Sequence, residues 1–259
     1  MRLLTHVTYG YLVKNAEKLA ERKVDLEVYF SAKVIDAFDA ESLRSLISDL
    51  KKSGIGFNIH APFFDLNLGS IEPFVRRATV NRFKSLLPVI EAVEPYNVVV
   101  HTGFEPVKYR NHIDEWVKNA VRSLSVIRKM IPQGVTISVE NVFDGDPYVL
   151  EMLLSHFDSD VGHCFDIGHF HVFSKTSLSE WLERLGDRII EMHIHNNDGL
   201  EDRHWEVARG SAPVVSLLKW AKNRDVAYLT LEPHTEREAL RSIEYVKKLL
   251  FEEVVEDGL

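Results

Sequence analysis

Cysteine is almost absent from this chain: among 259 residues there is one, Cys164. A single thiol excludes an internal disulfide framework and fits a reducing compartment. Set inside the apolar run VGHCFD, it reads as a packing residue rather than a nucleophile. Long hydrophobic runs are missing too. No stretch approaches the roughly 20 apolar residues of a membrane span, and MRLLTHVTYG meets His6 too early to form a secretory apolar core. The expectation is a cytoplasmic protein without a membrane partner. Basic residues are in deficit, 31 Lys and Arg against 39 Asp and Glu, for a formal net charge of −8. Such a surface repels phosphate backbones and anionic lipid at long range. A glycine-rich phosphate turn is also lacking after the first strand, where VTYGYL stands. That removes the main support for an open dinucleotide-binding sheet.

What is present is a regular alternation. Apolar, β-rich runs occupy 2–7, 24–30, 56–60, 97–101, 135–140, 161–166, 189–195 and 227–232. Most are nearly continuous in Val, Ile, Leu and Phe, the pattern of parallel strands covered on both faces. Between them lie stretches of helical periodicity, such as YLVKNAEKLAERK (11–23), AESLRSLISDLKK (40–52), DEWVKNAVRSLSVIRKM (114–130) and EREALRSIEYVKKLLFEE (236–253). In the last, Leu240, Ile243, Val246, Leu249 and Leu250 share one face. Asp39 and Asp114 stand where N-caps belong. Eight strand–helix repeats with no dividing linker predict a single-domain (β/α)8 TIM barrel over 1–259.

The strand ends carry something that barrel packing does not require. Strands three to eight end in His60, His101, Glu140, Asp166, His193 or His195, and Glu232. In a barrel these ends share the C-terminal face, where active sites sit. Any one of them alone reads as a hydrogen-bonded structural residue or a cap, Asp166 before IGH included. Together they form a ring of carboxylates and imidazoles that stays repelled or unsatisfied unless a cation binds. Mixed N and O donors suit Zn²⁺, Mn²⁺, Fe²⁺ or Co²⁺ rather than Ca²⁺. Asp166 with His169, and Asp202 with His204, offer donors for a second or third ion. His6 and His234 stand near the same mouth without a pattern of their own. His112, His156 and His171 read as structural.

At these motifs the chain resembles the xylose isomerase-like TIM barrels, which include sugar isomerases, epimerases and the endonuclease IV group. The resemblance spans nearly the whole chain. It is carried by IHAPFFDLNLGS (59–70), VVVHTG (98–103), VENV (139–142), FDIGH (165–169), MHIHNNDGLEDRH (192–204) and LTLEP (229–233). It implies metal ligation by His60, His101, Glu140, Asp166, His169, His193, Asp202, His204 and Glu232. Of these, Glu140, Asp166, His193 and Glu232 match the smaller set of the sugar-converting members. The register H-x-x-D selects His193, with Asn196 in place of the aspartate; the register HNND selects His195 instead.

Two activities are implied. One is a metal-dependent sugar or sugar phosphate isomerase or epimerase, using one to three Zn or Mn ions. There Glu140 and Glu232 move a carbon-bound proton through a metal-stabilised enediolate. Its partner is a small carbohydrate, and oligomeric state is left open. The other is an endonuclease IV-like multi-zinc phosphodiesterase on abasic or damaged DNA, which the full nine-position set favours. Against it, SAKVIDAFDAESL after strand two lacks a Lys/Arg/Asn/Trp-rich loop, and the acidic balance lacks the footprint of a nucleic-acid binder. The isomerase or epimerase is the reading preferred here. A non-catalytic metal-binding barrel is disfavoured, because such a role does not need titratable groups at six strand ends.

Overall fold

The computed structural model describes residues 1–251. Its strands are β1 (Arg2–Thr8), β2 (Asp25–Tyr29), β3 (Phe57–His60), β4 (Asn97–His101), β5 (Thr136–Glu140), β6 (Val161–Asp166), β7 (Ile189–Ile194) and β8 (Tyr228–Leu231). They close into one barrel in chain order, β8 returning to β1 through Arg2↔Tyr228 to Thr5↔Leu231. All pairings are parallel, so each connection is a crossover, and helices supply it. The fold is a (β/α)8 TIM barrel, as the alternation predicts.

The apolar runs locate every strand to within one residue at each end. The helix Ala40–Lys52 matches its predicted limits, and Asp39 caps it by accepting from Ser42 N at 2.8 Å. Other expectations need correction. Asp114 lies inside the first turn of the helix Ile113–Met130, which starts from His112 and has no side-chain cap. The stretch 11–23 is two short helices, Tyr9–Lys14 and Ala16–Arg22, broken at Asn15, whose φ of −128° is not helical. The last helix is Glu236–Phe251; positions 252–253 of its predicted stretch, and the predicted domain end at 259, lie outside the described residues. Among the described residues, no helix is long and apolar enough to cross a membrane.

The core lies between barrel and helices, where Trp116 and Trp181 are the largest fully buried side chains. Inside the barrel the apolar reading fails. Below the mouth, the fully buried Asn58, Asn97, Ser138, Glu191 and Thr230 form a polar belt. Glu191 is its hub, accepting from Asn58 at 2.8 Å, from Asn97 at 2.6 Å and from Thr230. Burial, then repulsion from Glu27, pushes the Glu191 carboxyl up to about 8. The belt pairs most of its buried polar groups, as burial requires, and leaves Asn58 Oδ1 without a partner.

A second buried polar group sets an acid limit on stability. His163 is fully buried, donates Nδ1–H to the Val139 carbonyl at 2.9 Å and stacks on Trp181. Burial lowers its pKa to about 4, against roughly 6.5 unfolded. Its contribution is therefore complete above the unfolded value and is lost as pH falls toward the folded one. The loss is about 1.4 kcal/mol per pH unit across that window. Denaturant unfolding at pH 7 and pH 4.5 should show a smaller acid loss for His163→Phe than for the parent chain. Equal losses would contradict the assignment.

Candidate metal centre

The strand registers bring the donors together. His101 pairs with Glu140 across β4–β5, and Asp166 pairs with His193 across β6–β7. The second match depends on an irregularity. His163 faces Ile189 while Cys164 faces Glu191, so Ile190 is an extra residue in β7. Without it Asp166 would face Met192. His193 and His195 are two apart, so both side chains leave the same face of the chain.

Glu140 is the centre of the arrangement. It is buried, with Oε2 at 3.2 Å from His60 Nε2 and 3.0 Å from His101 Nε2. Its Oε1 lies 3.1 Å from His169 Nδ1. His193 Nδ1 faces Glu140 at 3.6 Å, Asp166 at 3.9 Å and Glu232 at 3.4 Å. Glu232 stands one residue beyond β8 and also contacts His6 Nδ1 at 3.0 Å.

A second group sits beside it. Asp166 has two tasks: Oδ1 caps the helix Ile167–Phe173 by accepting from His169 N at 2.6 Å, and Oδ2 meets His195 Nε2 at 3.1 Å. The cap and the site are thus the same residue. Asp202 closes the group, 3.3 Å from His169 Nε2 and 3.1 Å from His204 Nε2. His204 stacks on His195 at 3.8 Å between ring centres and holds a φ of 46°, a backbone region sparsely used by residues other than glycine. Gly168 is required here, because a Cβ would fall 1.9 Å from His195 Cε1.

Three of the imidazoles are presented in one manner. His60, His169 and His204 each direct Nδ1 to a backbone carbonyl, of Ala61, Asn141 and Glu232, at 3.0, 3.0 and 2.9 Å. A carbonyl accepts only, so Nδ1 carries the proton and Nε2 is turned toward carboxylates. This is how ligating histidines are held. Buried polar atoms are also left over: both ring nitrogens of His193, His101 Nε2, His195 Nδ1 and Glu27 Oε2 make no aligned hydrogen bond.

A divalent cation fits these donors. Among the described residues several sets have one donor atom per residue mutually within 4.8 Å, among them His169/His195/Asp202/His204, His60/His193/Glu232, His60/His101/Glu140 and His6/Glu27/Glu232. Their mixed N and O character matches Zn²⁺ or Mn²⁺. Protons otherwise supply the positive charge. Burial would push Glu140 and Glu232 up, but His101 and His193 beside the first, and His193 and His6 beside the second, hold both well below the usual carboxylate range. Burial works against charge on His204 as well, yet Asp202 and Glu232 raise it to about 9.

All nine residues named from the sequence lie at this mouth, and the structure adds others. His195 belongs to the second group, while His193 lies among Glu140, Asp166 and Glu232, so both registers point into the site. His6 and Glu27 join from β1 and β2, His234 stacks on His204 at 4.5 Å, and the Cys164 thiol lies beneath His193. Glu27 left one trace in the sequence: a carboxylate set between the apolar Leu26 and Val28 of a strand. Above the site opens a cavity of about 1000 Å³. Its aromatic wall includes Phe63, which stacks on His101 at 4.4 Å, with Tyr29, Phe143 and Phe173.

Comparison with known proteins agrees with the fold. The chain is 28% identical over 252 residues to the uncharacterized protein MJ1311 of Methanocaldococcus jannaschii, covering 92% of this chain and 85% of that one. Among solved structures, a D-tagatose 3-epimerase-like protein superposes with a TM-score of 0.81 at 26% identity, covering 96% and 97% of the two chains. Endonuclease IV from Thermus thermophilus shares the fold at 17% identity, with a TM-score of 0.71 and coverage of 96% and 99%. The sequence profile of the xylose isomerase-like TIM barrels matches residues 24–249, and the chain belongs to that family.

Proposed function

We propose that the protein is a metal-dependent carbohydrate isomerase or epimerase that works by proton transfer. The observation that carries the reading is the placement of two buried glutamates. Glu140 from β5 and Glu232 from the end of β8 approach the same nitrogen, His193 Nδ1, at 3.6 and 3.4 Å, below an open cavity. Glu140, Asp166, His193 and Glu232 would hold one ion; His60, His101, His169, Asp202 and His204 supply donors for up to two more. A bound divalent ion supplies Lewis acidity that favours negative charge on a neighbouring oxygen. The glutamates take a proton from the carbon beside a carbonyl and return it. A group on each side of a planar intermediate permits exchange at either face. The aromatic wall restricts water and offers apolar surface to the C–H face of a sugar. The likeness to the D-tagatose 3-epimerase-like protein supports this assignment.

Incubating the zinc- or manganese-loaded protein with a panel of ketoses and aldoses in D₂O tests the reading. At least one substrate should gain deuterium on a carbon next to its carbonyl. No incorporation across ketohexoses, ketopentoses and their phosphates would contradict it.

The set of nine donors favours a second reading, phosphodiester hydrolysis, but the surface does not. Among the described residues, two Lys or Arg side chains line the cavity: Arg22 is ion-paired with Glu236, and Lys108 lies over the Tyr109 ring. Neither forms a track for a phosphate backbone, and the net charge is −8. Binding to duplex DNA with an abasic site should be weak at physiological salt, with no cleavage by the metal-loaded protein. Tight binding with strand scission would transfer the assignment to the phosphodiesterase.

A further inference from the structure

Among the imidazoles facing the carboxylates, His193 differs in how it is held. His60, His169 and His204 each have Nδ1 fixed by a backbone carbonyl. His193 has no such partner. It is fully buried, and neither of its nitrogens makes an aligned hydrogen bond. Its orientation is also reversed, with Nδ1 toward the carboxylates Glu140, Asp166 and Glu232 at 3.4 to 3.9 Å. Nε2 points the other way and meets one carboxylate, Glu27 Oε1, at 3.3 Å.

A neutral imidazole carries one N–H and one lone pair. If Nδ1 is to offer its lone pair to a cation among three carboxylates, the proton must sit on Nε2. An acceptor is then needed there, and Glu27 is the carboxylate in reach. Glu27 comes from the middle of β2, is itself fully buried, and touches the ring nitrogens of His6 and His193 through Oε1. A buried carboxylate in a barrel interior is costly unless such donors meet it.

We propose that Glu27 is a positioning residue for the metal centre: with an ion bound, its Oε1 accepts a hydrogen bond from His193 Nε2–H and so fixes the ring with Nδ1 toward Glu140, Asp166 and Glu232. This inference rests on the metal-centre reading above. It assigns Glu27 no contact with substrate. Its place is that of the carbonyls behind His60, His169 and His204, but with a charge, which also raises the basicity of the ligating nitrogen.

The test has two independent readouts. Chelator competition with Zn²⁺ should show a 10- to 100-fold weaker affinity for Glu27→Gln and Glu27→Ala, with part of it recovered in Glu27→Asp. Long-range ¹H–¹⁵N spectra of the zinc-loaded parent protein, assigned with His193→Gln, should show His193 protonated at Nε2. A role confined to packing would change thermal stability without moving either readout. Affinities within twofold of the parent for both Gln and Ala variants, or a His193 ring protonated at Nδ1 in the zinc-loaded protein, would overturn the proposal. If the Gln and Ala variants do not fold, the affinity of Glu27→Asp is the variant readout, and a His193 ring protonated at Nδ1 in the zinc-loaded parent still overturns the proposal. A parent protein that binds no zinc overturns the metal-centre reading itself. That outcome is distinct from one in which the parent and the Glu27 variants bind equally.

Discussion

Glu140→Gln and Glu232→Gln should each lower kcat by about a thousandfold on the substrate identified by deuterium exchange, with the fold retained. Removal of a positioned general base costs on the order of 10²- to 10⁴-fold, and the amide keeps the volume of the carboxyl in a packed site. The two variants should differ in metal content. Glu140 contacts His60, His101 and His169 at 3.0 to 3.2 Å and His193 at 3.6 Å, so its charge balances most of the mouth. Glu140→Gln should therefore lose bound metal as well as turnover. Glu232 contacts His6 at 3.0 Å, His193 at 3.4 Å and His204 at 3.8 Å, and its variant should keep more metal while losing turnover. Helix content by circular dichroism separates both effects from unfolding. Activity retained in both variants would remove the proton-transfer scheme.

Zinc should raise the melting temperature, and a chelator should reverse the gain. A ligand at a hundred times its Kd stabilises by about 2.7 kcal/mol. For a chain of this size each kcal/mol is roughly 2–4 °C, so a shift of about 5–11 °C is expected. The gain should increase with pH. Burial opposes charge on His169 and His193, but the carboxylates around them raise both well above the ordinary imidazole value, and His204 reaches about 9. Protons thus compete with the ion for these nitrogens, and binding releases them. Scans between pH 6 and pH 9 with and without zinc check the sign. A shift that shrinks as pH rises would contradict the identification of the imidazoles as ligands.

Most of this site was legible in the sequence, for a geometric reason. Parallel strands in a barrel end on one face, so a polar residue closing an apolar run can be placed there without knowing its partners. The interior was not legible, for a related reason. Strands buried on both faces lose their period-2 pattern, so nothing in DLEVY or IIEMHIH showed whether Glu27 and Glu191 point inward. The choice between His193 and His195 was ambiguous because residues two apart share a face. Register could not resolve it, because the extra residue Ile190 in β7 is an ordinary apolar residue in the sequence. Asp166 posed a choice between capping and site chemistry, and its two oxygens divide the contacts: Oδ1 caps the helix and Oδ2 meets His195. Asp114 failed as a cap because the helix begins at Ile113, two residues before the start that a cap at Asp114 requires.

If donors from separate strands and loops share a cation at the barrel mouth, anomalous diffraction at the zinc edge from crystals grown with Zn²⁺ will locate it. At least one strong peak is expected at about 2.0–2.2 Å from donor atoms of Glu140, Asp166, His193 and Glu232. No peak at the mouth of a fully zinc-exposed crystal, or peaks confined to surface carboxylates, would contradict it.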